Sequence, residues 1–433
     1  MADVHPFKGL RYNSKRVPDL GAVVSPPYDV ISADFQEILY NRNPHNIVRL
    51  EFGKEPVDMK SGSNRYIVAN ELLSQWRQTG VLNMDSEPSL YLLKEVYSDN
   101  HGVMRIRYSL FARVRLEEFS KGVVLPHEET RQTAKRDRLE LLSASKANLS
   151  PIMGLYRDSS GVIKEILEQA MLNPPLSVVE KVDGQDFTLW DLSEPTQIEA
   201  IHQALLPLPI YLADGHHRYE TAITYRDMQG ELPGDAAYVM MGLIDLGDPG
   251  LHLEGYHRVL SNLNSTAEET LEHQLGEFYQ EIATIELPES PDDAVLQMLE
   301  GLSETQRDRD VIGVVDLEGK RFRIMMLSDQ GRDLLAKANN SIPELIQCDA
   351  WTLQEGVLNQ VVNSDSAVQL EYVHDAADAV QNIRSHEAHV LIMLLPMPLD
   401  LFESVVIQGV RLPPKSTYFS PKLPTGFVVY MLE

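Results

Sequence analysis

The pattern of apolar and polar positions breaks the chain into short strands and helices that follow one another along its whole length. Helical spacing predicts helices over 32–42 and 63–78, the second opened by Ser63 and stopped at Gly80. Between them the alternation Ile47-Val48-Arg49-Leu50-Glu51-Phe52 predicts a strand. Runs rich in β-branched and aromatic residues over 90–97 and 104–116 flank Asp99-Asn100-His101-Gly102, which predicts a long hairpin. A charged helix over 133–147, a strand over 152–156, a helix over 162–171, a strand over 187–192 and a helix over 195–204 come next. The unbroken apolar run Tyr238 to Asp245 is expected of a central strand covered on both faces. Further on, 263–304 is acidic and mostly helical in pattern. A second hairpin turns at Glu318-Gly319, and a strand over 390–395 precedes a helix over 400–408.

One junction in this pattern carries chemistry. Pro207 to Ala213 reads as a short buried strand, and Tyr219, Ala222 and Ile223 then recur at helical spacing, so Asp214 and Gly215 lie where strand becomes helix. A glycine there permits a tight backbone with its amides turned outward, and a helix start adds partial positive charge at the same point. His216, His217 and Arg218 crowd that terminus, which argues for an anion, since cations at a helix start oppose its dipole. Asp214 is the candidate proton acceptor and, with Glu220, the candidate Mg²⁺ ligand. In the plainer reading, Asp214 caps the helix and pairs with Arg218.

Other segments could converge on this junction. Pro26-Pro27-Tyr28-Asp29 is a stiff turn carrying a phenol and a carboxylate, or else only a corner. His127-Glu128-Glu129-Thr130 offers an imidazole and two carboxylates, one to take a substrate proton and one to hold a metal, or else is an exposed acidic turn. Lys415, Ser416 and Thr417 come after two prolines and could bring an ammonium and hydroxyls to a phosphate, although the glycines of a P-loop are missing. His257-Arg258 reads as a satisfied polar pair on a strand.

The stretch Asp214-Gly215-His216-His217-Arg218 resembles the phosphate-binding motif of the ParB/sulfiredoxin superfamily, and most closely its free-serine kinases. Along nearly the whole chain the resemblance is to domain-of-unknown-function family 1015. It is carried by Pro6-Phe7-Lys8-Gly9, Pro26 to Ile31, Leu125 to Thr130, Ala213 to Ala222 and Pro414 to Phe419. The superfamily resemblance implies that Gly215, His217 and Arg218 contact phosphate. His216 stands where sulfiredoxins have cysteine, which argues against sulfinic-acid repair. It implies an α+β fold of mixed sheets, with a ParB/sulfiredoxin-like core and additional α/β subdomains.

Composition narrows the partners. With 433 residues, 43% of them hydrophobic, the chain can bury a large core. We expect an N-terminal α+β region over 1–260 containing the motif and an α/β region over 261–433 packed against it. A net charge of -26, from 64 acidic and 38 basic residues, argues against a broad nucleic-acid surface. Basic spots remain at Arg131, Lys135, Arg136 and Arg138, and at Arg411, Lys415 and Lys422. The single cysteine, Cys348, excludes an internal disulfide and a CxxC motif. With neither a signal-like start nor an apolar run of membrane length, a cytoplasmic protein is expected.

Together these residues predict a Mg²⁺-dependent phosphotransferase using ATP or ADP, or another nucleoside triphosphate, on a small hydroxylated metabolite resembling serine. Glu128 or Glu129 supplies the base, Tyr28, Asp29, His127 and Thr130 surround the acceptor, and Lys415 to Thr417 contact the nucleotide. The alternatives are a nucleotide-gated binding protein or slow NTPase without an acceptor, and a metallohydrolase with Asp214, His216, His217 and His127 around Zn²⁺ or Mn²⁺.

Overall fold

The computed structural model describes residues 1–432 except 57–63, 100–101, 131, 231–233, 306–309 and 339–341; at 132–134 and 338 only the backbone is described. The turn at Asn100-His101, the cap at Ser63 and the basic residue Arg131 therefore lie outside the described residues. The chain divides into two compact units, 1–252 together with 420–433, and 253–419. The chain leaves the first unit after 252 and returns to it over 420–433. The physical reason is strand pairing: Val429–Met431 lies between Gly9–Tyr12 and Ala147–Asn148 in a four-stranded sheet of the first unit.

The main sheet of the first unit is mixed. Its order is Val124–Pro126, Ile210–Asp214, Ile152–Tyr156, Tyr238–Asp245, Met104–Arg115, Leu90–Ser98, Gln185–Leu192 and Ser177–Val182, with Val4–His5 also on Met104–Arg115. Val124–Pro126 runs parallel to Ile210–Asp214, and Ile152–Tyr156 parallel to Tyr238–Asp245, while the other pairs are antiparallel. Tyr238–Asp245 is central as its composition predicts, and Val239, Met240, Met241, Leu243 and Ile244 are all buried. A fully buried ion pair spans the long hairpin: Arg107 donates from Nε and Nη2 to the two oxygens of Glu95 at 2.9 and 3.0 Å.

The second unit holds an antiparallel six-stranded sheet, ordered Tyr279–Glu286, Arg321–Leu327, Val311–Val315, Val390–Met393, His257–Ser261 and Gln369–Val373. Its core packs Pro291–Thr305 and Ala376–Arg384 against the sheet through Met298, Leu302, Val380 and Ile383. The fold is thus α+β with mixed sheets.

Two elements depart from the sequence pattern. Residues 47–52 form a short helix, Val48–Glu51, and no strand. Buried Asn46 explains this: its amide donates to the carbonyls of Ala22 and Val24, while its oxygen accepts from Val48 N at 3.0 Å and so starts the turn. Within 263–304 the strand Tyr279–Glu286 separates helices Ser265–Phe278 and Pro291–Thr305. That strand lies at the sheet edge with mostly exposed side chains, and its sequence has no apolar alternation to betray it. Among the described residues no helix is long and apolar enough to cross a membrane.

Candidate functional site

Strand Ile210–Asp214 runs into Gly215, which has φ +88° and ψ 25°, and helix His216–Met228 begins at once. Leu212 and Asp214 pair with Gly154 and Met153, so one residue is skipped in the ladder directly before the motif, an irregularity that re-aims the strand end. On the other side, parallel pairing sets Pro126 beside Leu212 and thereby carries His127 and the acidic loop to the junction. His127 Nδ1 lies 2.7 Å from the Leu212 carbonyl, the backbone N–H of His127 donates to His216 Nε2 at 3.3 Å, and the two rings meet edge-on with centres 4.6 Å apart.

Asp214 is gripped by two cations. Arg218 donates to Oδ2 at 2.6 Å, and Lys422, 208 residues away in sequence, donates to Oδ1. Burial would raise the Asp214 carboxyl, but Lys422 and Arg218 outweigh it and hold the group well below the usual carboxylate range. The plainer expectation of an Asp214–Arg218 pair is thus realised, although the cap position belongs to Gly215 and no side chain caps the helix. Arg218 also donates to Ser150 Oγ at 3.0 Å and to the Pro151 carbonyl at 2.7 Å. Ser150 passes the network on to buried Glu51 at 2.9 Å, and Arg138 closes it with bonds to Glu51 and Asp137.

A fixed carboxylate of this kind is a poor proton acceptor at neutral pH. Both oxygens of Asp214 instead face cations, an arrangement that orients Arg218 and Lys422. The Mg²⁺ expectation for Asp214 and Glu220 meets the same obstacle. Glu220 accepts from Thr130 Oγ1 at 2.8 Å and is paired with Lys135, so both carboxylates already face cations, and Mg²⁺ does not fit them as they stand. Among the described residues the group of three metal-type donors within 4.8 Å of one another is Asp3, His5 and His202, none of which belongs to the motif, and the Asp214, His216, His217 and His127 set is not such a group.

Burial lowers His127 and His217 below the ordinary histidine value, so near neutral pH both are mainly uncharged and do not oppose the helix dipole. Cationic character at the junction comes from Arg218, Lys422 and Lys135. The charges acting on His217 after burial include Glu220, Lys135, Asp29 and Glu128. Tyr28 lies under the Arg138 guanidinium at 3.9 Å, and burial pushes its phenol up to about 12 despite that cation. Asp29 and Glu129 are exposed, and Glu128 is half-buried with an oxygen 3.9 Å from His127 Nε2.

Lys415, Ser416 and Thr417 belong to the second unit. There Lys415 Nζ lies 3.2 Å from the Tyr256 hydroxyl, its carbonyl accepts from Arg258 at 3.1 Å, and Ser416 donates to the Pro413 carbonyl at 2.7 Å. Arg258 is fully buried with Tyr372 beneath it, and its Nη1 donates to the Tyr256 carbonyl at 2.8 Å. Sequence reading named Lys422 and Arg138 only as parts of basic spots, and missed Glu51 and Ser150; no local signal links any of the four to the motif.

The junction fits a phosphate group. The amides of the first helical turn have no acceptor within the helix, Gly215 adds no side chain, and a Cβ there would lie 3.1 Å from the Arg218 guanidinium. Gly215→Ala is therefore expected to destabilise the protein by about 1–3 kcal/mol, through strain at positive φ and displacement of Arg218. Urea unfolding with an unchanged midpoint would contradict that account.

Comparison with solved structures gives distant likenesses. A conserved hypothetical protein from Pyrococcus furiosus is 13% identical, with TM-score 0.36 over 75% of this chain and 95% of that one. A free serine kinase in complex with AMP is 12% identical, with TM-score 0.36 over 77% and 94%. The Staphylococcus aureus protein SbnI, truncated at its C-terminus, is 11% identical, with TM-score 0.37 over 74% and 87%. Likenesses of this size carry no inference about the reaction. No curated protein matches the chain. The family model described as protein of unknown function (DUF1015) matches residues 4–352, well over half the chain, and the protein belongs to that family.

Proposed function

We propose that the protein is a nucleotide-dependent phosphotransferase that holds ATP or ADP by its phosphates over Gly215 to Arg218 and passes a phosphoryl group to a small hydroxylated metabolite such as serine. The observation that carries this reading is the junction itself: a left-handed Gly215 opening a 13-residue helix, with Arg218 and Lys422 converging on Asp214 at its start. Phosphoryl transfer asks the protein mainly for positioned donors around phosphate oxygens and a carboxylate for the acceptor proton. Here the donors are the first-turn amides, His217, Arg218 and Lys422, with Asp214 as the residue that positions both cations. Glu128 is the carboxylate assigned to the proton, because it is half-buried and acts on His217 at the mouth of the motif. Tyr28, Asp29 and Thr130 line the acceptor side in this reading. The resemblance of Asp214-Gly215-His216-His217-Arg218 to the free-serine-kinase motif supports the choice of acceptor.

The test is nucleotide-dependent stabilisation, since a ligand that binds only the folded state at about 100 times its Kd adds about 2.7 kcal/mol. ATP, ADP, CTP and GTP, each with and without Mg²⁺, are expected to include at least one that stabilises wild type and fails with Arg218→Ala. Transfer of labelled phosphate to serine or a related hydroxy acid should then be lost in Glu128→Gln with nucleotide binding kept. No stabilisation by any nucleotide would overturn the reading. Binding without transfer would favour a nucleotide-gated protein instead, for which the ties of His127 to Leu212 and His216 provide a coupled loop.

A further inference from the structure

The second unit contains a cavity of about 870 Å³ that the motif does not use. Its size is that of a metabolite site, and its walls join apolar Leu394, Met397 and Leu401 to the ring of Tyr256. Four carboxylates, Asp310, Glu344, Asp349 and Asp400, line the same space against one guanidinium, Arg332. Arg332 is already engaged, donating to Asp310 at 2.7 Å. Among the described residues Glu344 Oε2 is buried with no hydrogen-bond partner. Burial, and then Asp310, hold the Asp349 carboxyl well above its usual range, the mark of a buried charge lacking a countercharge.

We propose that this cavity binds a small aliphatic amine, its ammonium group paired with Asp349 and Glu344 and its carbon chain against Leu394 and Met397. Lost solvation makes an unmatched carboxylate costly, and a bound cation is the direct way to offset it. A divalent metal suits the cavity less well: among the described residues its carboxylates do not form a group of three donors within 4.8 Å, whereas an extended organic cation tolerates spaced acceptors.

The experiment is calorimetric titration of the full chain with 1,4-diaminobutane and, as an uncharged probe of the same length, 1,4-butanediol, both in 150 mM salt so that attraction to the acidic surface is screened. Wild type is compared with Asp349→Asn and Glu344→Gln. Asp349→Asn keeps the shape and removes an uncompensated charge, so it is expected to fold at least as stably as wild type. The expected result is saturable binding of the diamine to wild type, at least tenfold weaker in each variant, with no heat from the diol. No saturable diamine binding, equal binding by the variants, or equal binding of diol and diamine would each overturn the proposal.

Discussion

Asp214→Asn is expected to lower the stability of the protein by about 3 kcal/mol at pH 7, near the lower end of the loss caused by removing one partner of a buried pair. The side chains of Asp214, Arg218 and Lys422 are only 13%, 11% and 10% exposed, so the cations left behind are poorly solvated. The asparagine oxygen can still accept from one cation, but its NH₂ then faces the other, donor against donor. The pH dependence has a definite sign. The folded-state carboxyl is held below its unfolded value of about 3.9, so its contribution is present above that value and disappears as pH falls through and below it. Wild type and variant should therefore differ in urea midpoint at pH 7, with the gap narrowing as pH falls below about 3.9 and closing only once the depressed folded-state value is passed. A constant difference across that range would mean that the charge of Asp214 is not what holds the junction.

Glu95→Gln is expected to cost more, about 3–5 kcal/mol, because neither Glu95 nor Arg107 has any exposure and their two bonds run in parallel. Ser109 Oγ, which donates to Glu95 at 3.3 Å, stays within reach of the new amide oxygen, so the loss measures mainly the stranded guanidinium. Replacing both members by apolar residues of similar size, Glu95→Leu with Arg107→Met, should be milder than Glu95→Gln alone. Denaturant unfolding of the three proteins checks this order, and a double variant less stable than the single one would contradict it. The pair lies within the hairpin Leu90–Ser98 and Met104–Arg115, away from the motif by several strands, so nucleotide affinity should change little.

The strand, glycine and helix of the motif were legible in the sequence because each depends on near neighbours: apolar run, backbone freedom, helical spacing. The helix expected over 32–42 was legible for the same reason and is found as Ala33–Arg42. The surroundings of the motif were not. Lys422 and Asp214 meet only because Val429–Met431 adds to a sheet begun by Gly9–Tyr12, and pairing between chain ends leaves no local trace. The same holds for Glu51, whose helix forms through the buried amide of Asn46. Charge state was not legible where it depends on burial: His217 read as a cation at the helix start, yet burial lowers it below the ordinary histidine value.

The return of the last segment also bears on how the molecule is made. Asp214 leaves the ribosome 208 residues before Lys422, a delay of about 10–40 s at 5–20 residues per second. During that time the whole of 253–419 is synthesised, and those residues form a compact unit of their own. The motif carboxylate therefore waits with Arg218, and the junction reaches its final charge balance only once Lys422 has been made.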